Sequence, residues 1–372
     1  MNLHSELNND ALTQTIRRLM ESHYDFGKLT RVEGITGGYC NKSYAVWMAD
    51  APRNRRLFLR LYNPHVAEKE IRFEHALVDH LRSNGFTKAA AVVPGSSGET
   101  LVRTPPPENH NGARALWALF EFLDGEDKYS WTHTDLTDRE FASAARVLAH
   151  LHHCGHGFTP PPGAKRVQPK IMTFLPTFET SWSTFYRRRE ERRCDRLFEQ
   201  NFETILTTVR HLVELESAFQ GMVELPVHCD YHPGNLKYHD EKVIGIFDFD
   251  WSKIDYRLFD IALGLVYFTS IWDQQVVALR QDKFSLFLQT YNQACRQFSH
   301  VNPLTAQEKK YLTAMLAIAN LYVLNWDLVD FYNAAEPDDD EYYAFIYHNI
   351  GLMHWLTGNQ REIDRSIVRT LG

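Results

Sequence analysis

The chain has 372 residues, enough to bury a core without help from disulfides or metals. It is 44% hydrophobic and 23% charged, which is ordinary for a folded protein and excludes wholesale disorder. The formal net charge of −7 provides no overall basic field, so neither nucleic acid nor an anionic membrane is a predicted partner.

Several features concern the cellular setting of the protein. The polar N-terminus lacks a basic segment followed by an apolar stretch, so no secretory signal is expected. The apolar stretches around 261–272 and 314–326 are judged too short and too interrupted to cross a bilayer. The 5 cysteines are widely spaced and contain no CxxC pair, which argues against a disulfide framework or a zinc ribbon. A cytoplasmic location is therefore predicted.

The first third of the chain is rich in predicted strands. Apolar residues at helical spacing, followed by Gly85, predict a helix over 67–84. Short β-rich runs, several of them alternating, predict strands at 29–35, 43–48, 56–62, 92–94, 100–103 and 115–122.

After Leu123 the pattern becomes mainly helical. One short β-like island over 226–250 interrupts the helices, and Thr305 with Glu308 forms a capping box at a helix start. The predicted helices are 137–153, 177–198, 202–219, 275–298, 305–330 and 342–357. These elements predict an α+β protein with two lobes: a small β-rich N-terminal lobe (1–122), a hinge (123–126) and a larger, mainly helical C-terminal lobe (127–372).

The island contains the residues best suited to chemistry. Asp230 follows an apolar run, Asn235 lies five residues later, and Asp248 ends the apolar strand over 243–247. Carboxylates at strand ends are costly to bury unless they bind a metal or react. A nucleoside triphosphate needs hard oxygen ligands for Mg²⁺, and phosphoryl transfer needs a carboxylate that orients the attacking hydroxyl. The set therefore favours phosphoryl transfer.

The island resembles the aminoglycoside phosphotransferase / choline kinase superfamily, distant relatives of protein kinases. The resemblance rests on three elements in order. They are the motif His228-x-Asp230-x4-Asn235, the run Ile246-Phe247-Asp248-Phe249 at the end of a predicted strand, and the later Asp260. It implies a two-lobed, protein-kinase-like fold that uses ATP and Mg²⁺. Asp230 would then deprotonate the acceptor hydroxyl, Asn235 and Asp248 would bind Mg²⁺, and Asp260 would brace the catalytic loop.

The resemblance also assigns nucleotide-binding roles in the N-terminal lobe. Gly37 and Gly38 lie in a loop whose backbone N–H groups would cover the phosphates. Arg60 occupies the strand position where such kinases usually have lysine, and Glu74 on the following helix would pair with it. Main-chain groups from Glu121 to Leu123 would bind the adenine.

The implied activity is transfer of the γ-phosphoryl group of ATP to a hydroxyl of a small molecule: an amino alcohol, a homoserine-like amino acid or an amino sugar. A protein Ser/Thr kinase is a first alternative, although only eleven residues separate Asp248 from Asp260 and no Ala-Pro-Glu element occurs. A nucleotide-binding module without turnover is a second alternative, because Arg60 departs from the usual lysine. The sequence predicts neither the acceptor's identity nor the oligomeric state.

Overall fold

The structure, a computed structural model, describes residues 10–35, 40–50, 53–107, 114–273 and 276–372. An antiparallel sheet occupies the N-terminal part of the chain, and helices dominate the remainder. This arrangement confirms the predicted α+β class.

The chain forms two compact units. Unit 1 contains the described residues up to Gly125 together with Thr159–Val167 and Gly245–Asp250, and unit 2 contains Glu126–Phe158, Gln168–Ile244 and Trp251–Gly372. The chain thus returns twice to unit 1 after Gly125, which the contiguous predicted lobes do not include. The second return places Asp248 in unit 1.

Unit 1 is built on a six-stranded sheet. Its strands are β1 (Lys28–Ile35), β2 (Lys42–Asp50), β3 (Arg53–Leu61), β4 (Val92–Val93), β5 (Val102–Thr104) and β6 (Ala115–Glu121). They pair antiparallel in the order β1-β2-β3-β6-β4, and β5 also pairs with β6.

Two helices cover the sheet of unit 1. Side chains alternate along β3, so that successive residues pack in different clusters, one with each helix. Leu57 and Leu59 are buried in one cluster with residues of α1 (Asp10–His23). Phe58 and Arg60 take the alternate positions, and Phe58 packs against a second cluster that includes Ile71 of α2 (Glu68–Ser83). The side of β3 that carries Arg60 is therefore the side of α2.

Unit 2 is mainly helical. Its helices are α3 (Asp138–Cys154), α4 (Ile171–Phe174), α5 (Thr177–Arg188), α6 (Arg193–Val213), α7 (Glu216–Phe219), α8 (Arg257–Thr269), α9 (Gln281–Cys295), α10 (Ala306–Asn333), α11 (Asp339–Gly358) and α12 (Gln360–Leu371). The predicted capping box starts α10: the Thr305 hydroxyl accepts from the Glu308 N–H, and the Glu308 carboxylate accepts from the Thr305 N–H.

The island and the residues on either side of it supply the remaining strands. β7 (Glu224–Val227) pairs antiparallel with β10 (Lys253–Tyr256), and β8 (Leu236–His239) pairs with β9 (Lys242–Ile246). Asp240 and Glu241 link β8 to β9, and both have positive φ angles of 45° and 57°. These short pairings hold the loops that carry Asp230 and Asp248 at strand ends.

The predicted break between the helices 177–198 and 202–219 is wrong, because α6 runs through residues 199–201. The break lies instead before Arg193, where Asp195 fixes the helix start. Its carboxylate accepts from the Arg192 N–H and from the Tyr332 hydroxyl, at 3.2 and 2.7 Å. A distant tyrosine therefore helps to set this helix boundary.

Helix α10 is long and apolar enough to cross a membrane by length and composition, contrary to the judgement that its apolar stretch is too short. However, 78% of its apolar window is buried inside the protein. Such burial is typical of a core helix in a folded domain.

Candidate active site

Asp230 lies in unit 2 on a loop between β7 and a short 3₁₀ turn, Pro233–Asn235. The preceding residue, Cys229, has a φ of 64°, a left-handed conformation that is uncommon for a residue with a side chain. Contacts with the surrounding residues therefore hold Cys229 in this left-handed backbone conformation.

Asp260, in the first turn of α8, provides much of that constraint. Its fully buried carboxylate accepts from the backbone N–H groups of His228 and Cys229, both at 2.9 Å. It also lies 3.0 Å from Nε2 of His152, whose Nδ1 is 2.7 Å from the Tyr291 hydroxyl. Burial opposes ionisation, but the bonds from His152 and His228 keep the pKa of Asp260 below its ordinary value.

The Asp230 carboxylate is held through one of its oxygens. Asn235 Nδ2 donates to Oδ2 at 2.8 Å and to the Asp230 backbone carbonyl at 2.9 Å. His232 Nε2 lies 3.6 Å from the same Oδ2. Because His232 Nδ1 accepts from the Gly234 N–H, a neutral ring carries its proton on Nε2 and turns it toward Asp230.

These contacts decide the charge state of Asp230. Burial raises its pKa, but His232 and the hydrogen bonds outweigh burial, and the pKa lies below the ordinary value. The group is therefore a carboxylate at neutral pH. The described partners of the side chain all use Oδ2. The sequence reasoning missed His232, which the spacing Asp-x-His directly before Pro-Gly-Asn could have indicated.

The predicted Arg60–Glu74 pair is present in unit 1. Arg60 Nη1 donates to Glu74 Oε1 at 3.1 Å, and Arg60 Nη2 donates to Asp248 Oδ1 at 2.9 Å. Arg60 is only 5% exposed. Burial lowers its pKa, but Asp248 and Glu74 more than compensate and hold the pKa above the ordinary value. Arg60 therefore bridges the helix acid and the predicted metal ligand.

Asp248 follows β9 with a φ of 68° and is joined by a second acid, Asp250. Asp250 Oδ2 accepts from Asn41 Nδ2 at 2.8 Å, while its Oδ1 is buried without a partner among the described residues. Burial and the neighbouring Asp248 raise the pKa of Asp250 well above its usual range. Sequence reasoning did not assign Asp250 a role.

The other predicted nucleotide-binding residues are placed less directly. Gly37 and Gly38 lie outside the described residues. The Glu121 N–H donates to the Ala91 carbonyl at 2.8 Å, so it is already used inside unit 1. Leu123 is half-buried and lies beyond the end of β6.

The oxygen atoms fit a hard cation such as Mg²⁺. In unit 2, Asn235 uses its amide nitrogen for Asp230, which leaves its amide oxygen available. In unit 1, Asp250, two residues after Asp248, has a buried oxygen without a partner among the described residues. In the described part of the chain, no group of three or more His, Cys, Asp or Glu side chains could hold a metal alone. Mg²⁺ commonly completes its shell with water and substrate phosphates, so few protein ligands are needed.

Solved structures of kinases for small molecules share this fold. A microcompartment-associated aminopropanol kinase covers 96% of this chain and 99% of its own length at 16% identity and a TM-score of 0.63. Choline kinase from Cryptosporidium parvum covers 96% and 98% at 15% identity and a TM-score of 0.61. The fold is therefore the predicted two-lobed, protein-kinase-like one.

A family model described as the phosphotransferase enzyme family matches residues 31–296, and the chain belongs to this family. Homoserine kinase from Afipia carboxidovorans is 26% identical over 315 residues, which cover 84% of this chain and 83% of the relative. Homoserine kinase from Beijerinckia indica is 26% identical over 257 residues, covering 68% and 69%. The predicted enzyme class, a small-molecule kinase, is confirmed.

Proposed function

We propose that the protein transfers the γ-phosphoryl group of ATP to a hydroxyl of a small molecule, with Asp230 as the catalytic base. The observation that carries the proposal is the state of Asp230: an ionised carboxylate whose Oδ2 is held by Asn235 and His232. Asp230 Oδ1 would accept the hydrogen bond of the acceptor hydroxyl, orient its oxygen toward the phosphorus, and take the proton as the new P–O bond forms.

Each predicted nucleotide-binding residue would have a separate role. Arg60, oriented by Glu74, would bind the phosphates, and main-chain groups near Gly37, Gly38, Glu121 and Leu123 would contact the nucleotide. Asn235 and Asp248 would bind Mg²⁺, which neutralises charge on the phosphates when bound. Most of the rate enhancement would come from alignment and charge stabilisation.

The reaction can be tested by measuring ADP release from ATP, with Mg²⁺ or with EDTA. The acceptors to compare are homoserine, choline, ethanolamine, 1-amino-2-propanol and hexosamines. Release above the acceptor-free background, lost with EDTA, is the expected result. Nucleotide binding without release for any acceptor would favour a module without turnover. We also propose a reducing, cytoplasmic setting, which is supported by the 5 cysteines: all lie in the described part of the chain and none is in a disulfide.

We further propose an acceptor with an amino group, because unit 2 contains a buried acid without a cation. Asp327 of α10 is 6% exposed and accepts a hydrogen bond from Asn349 Nδ2 at 2.7 Å. Within the described ranges it forms no ion pair with Lys, Arg or His. Burial raises the pKa of Asp327 to about 8, although the Asn349 bond opposes the rise. Asp327 is therefore mostly protonated at neutral pH, and a bound ammonium group would favour its ionised form.

Tyr267 connects this acid with the Asp230 loop. Its ring centroid lies 5.4 Å from that of His232. After burial, Asp230 is the largest cause of the raised pKa of Tyr267, and Asp327 also contributes. By contrast, surface acids at the start of α11 have other partners: Asp338 caps the helix, and Asp340 pairs with Arg193. The relatives named homoserine kinase and aminopropanol kinase agree with an amino-bearing acceptor.

Asp327→Asn should therefore remove a preference for amino-bearing acceptors. The wild type should favour homoserine over 4-hydroxybutyrate by about tenfold or more in kcat/KM, since an ion pair with a desolvated carboxylate is lost in the second compound. The variant should treat both compounds alike. Asp240→Asn, which changes an exposed acid in the turn between β8 and β9, is the control. An unchanged preference in Asp327→Asn would remove Asp327 from acceptor binding.

A further inference from the structure

A chain of hydrogen bonds starts at the second oxygen of Glu74 and runs through unit 1. The Tyr62 hydroxyl lies 2.9 Å from Glu74 Oε2 and 3.1 Å from His75 Nε2. His75 Nδ1 lies 2.9 Å from the Thr100 hydroxyl. Tyr62 is 1%, Glu74 3% and His75 5% exposed, so the chain is shielded from water along most of its length.

The hydrogen bonds of this chain run in one direction, because the donor and acceptor roles of each group are fixed by its neighbour. Glu74, paired with the cation Arg60, accepts, so the Tyr62 hydroxyl donates to it. Tyr62 has then used its proton, and His75 must donate to it from Nε2. A neutral ring leaves Nδ1 as an acceptor, which the Thr100 hydroxyl fills.

Burial supports the neutral ring. Burial, followed by Arg60 and Arg72, lowers the pKa of His75 to about 3. The ring is also held by packing, since its centroid lies 5.7 Å from that of Phe120 in an edge-on arrangement. His75 is therefore a fixed donor and not a group that changes charge near neutral pH.

The hydrogen-bond chain matters for Glu74, because burial disfavours the charged form of the Glu74 carboxylate. Burial raises the pKa of Glu74, while Arg60 and the Tyr62 hydrogen bond oppose that rise. Without the hydroxyl of Tyr62, Oε2 would be a buried carboxylate oxygen without this donor, which is costly. Glu74 would then hold Arg60 less firmly, and Arg60 is also shared with Asp248.

We propose that Tyr62 and His75 are positioning residues that orient Glu74, and through it Arg60, for the phosphates of the nucleotide. The inference rests on the proposed function for the role of Arg60, and on the observed distances for the hydrogen-bond chain itself. Neither residue would touch the substrate. Their effect should thus appear in nucleotide affinity and leave acceptor binding unchanged.

The test compares four variants of the full-length protein. Tyr62→Phe deletes one hydroxyl, and His75→Leu deletes the donor. His75→Gln keeps an N–H group near the position of Nε2 and should rescue. Tyr24→Phe is the matched control, because Tyr24 is also buried but its hydroxyl has no partner among the described residues. Thermal unfolding followed by circular dichroism verifies that each variant is folded.

Tyr62→Phe should weaken MgADP binding, measured by calorimetry, about tenfold, as expected for the loss of a hydrogen bond to a charged group. His75→Leu, which removes a hydrogen bond between neutral groups, should weaken it about threefold. The KM of the acceptor should stay within about twofold, and His75→Gln and Tyr24→Phe should stay near the wild type. Nitrogen chemical shifts should show the proton of His75 on Nε2. Folded Tyr62→Phe protein with wild-type MgADP affinity, an equal loss in Tyr24→Phe, or a proton on Nδ1 would overturn the proposal.

The binding and chemical-shift measurements need no turnover. If the wild type transfers phosphate to no acceptor, the proposed function fails while these measurements still decide the role of the chain. If transfer occurs and Tyr62→Phe binds MgADP normally, only the positioning role fails.

Discussion

Asp230→Asn is expected to lower kcat by about a thousandfold, the usual contribution of a positioned general base. The amide keeps the shape of the side chain and can still accept from Asn235, but it cannot take the proton of the acceptor hydroxyl. Affinity for MgATP should stay within about twofold, because the Asp230 oxygen facing the acceptor has no assigned role toward the nucleotide.

Single-turnover assays and calorimetry with MgATP measure the two effects separately. Asp240→Asn is the matched control, since it makes the same chemical change in the exposed turn between β8 and β9. A residual rate in Asp230→Asn within a few-fold of the wild type would mean that another group acts as the base.

Asp248→Asn should have the second-largest effect, a loss of about a hundredfold in kcat with a higher Mg²⁺ requirement, as expected when a charge-stabilising contact is removed. Asparagine tolerates the φ of 68° at this position, so the backbone is preserved, whereas alanine would add strain. Arg60 would lose its ion pair with residue 248, although the amide oxygen could still accept its hydrogen bond, and it would keep its ion pair with Glu74.

Rates measured over a range of free Mg²⁺ at saturating ATP report this effect. Asp240→Asn again serves as the control, because it also replaces an acid at a residue with positive φ. If the half-saturating Mg²⁺ concentration is the same in Asp248→Asn and the wild type, Asp248 does not bind the metal.

The sequence was sufficient to predict features that depend on short stretches of chain. The alternation of residues 56–62 predicted β3, and the helical spacing after it predicted α2. The pairing of Arg60 with Glu74 on these two elements was what the resemblance implied. The motif around Asp230 and Asn235 is also local, and the side chains do meet, although through the amide nitrogen of Asn235.

Features that depend on distant contacts could not be predicted. Arg60 and Asp248 are separated by 188 residues, and Asn41 and Asp250 by 209. Nothing in the neighbourhood of either partner indicates such a contact. The sequence therefore predicted Arg60 as a phosphate ligand but not its second bond.

Helix α8 was missed for a different physical reason. Nearly all of it is buried, with Tyr267 as the exception, so few polar residues mark a solvent-facing side. Sequence patterns detect a helix by the contrast between its faces, and α8 lacks that contrast. The position of Asp260 within its first turn consequently became clear only in the structure.

The most direct test of the account follows the label from [γ-³²P]ATP and Mg²⁺ with the wild type, Asp230→Asn and the panel of amino-bearing hydroxyl compounds. We expect label in a phosphate ester of at least one small molecule, in amounts equal to ADP and absent with Asp230→Asn. Label on added protein only, or bound nucleotide without any transfer, would contradict the central claim that this protein is a small-molecule kinase acting through Asp230.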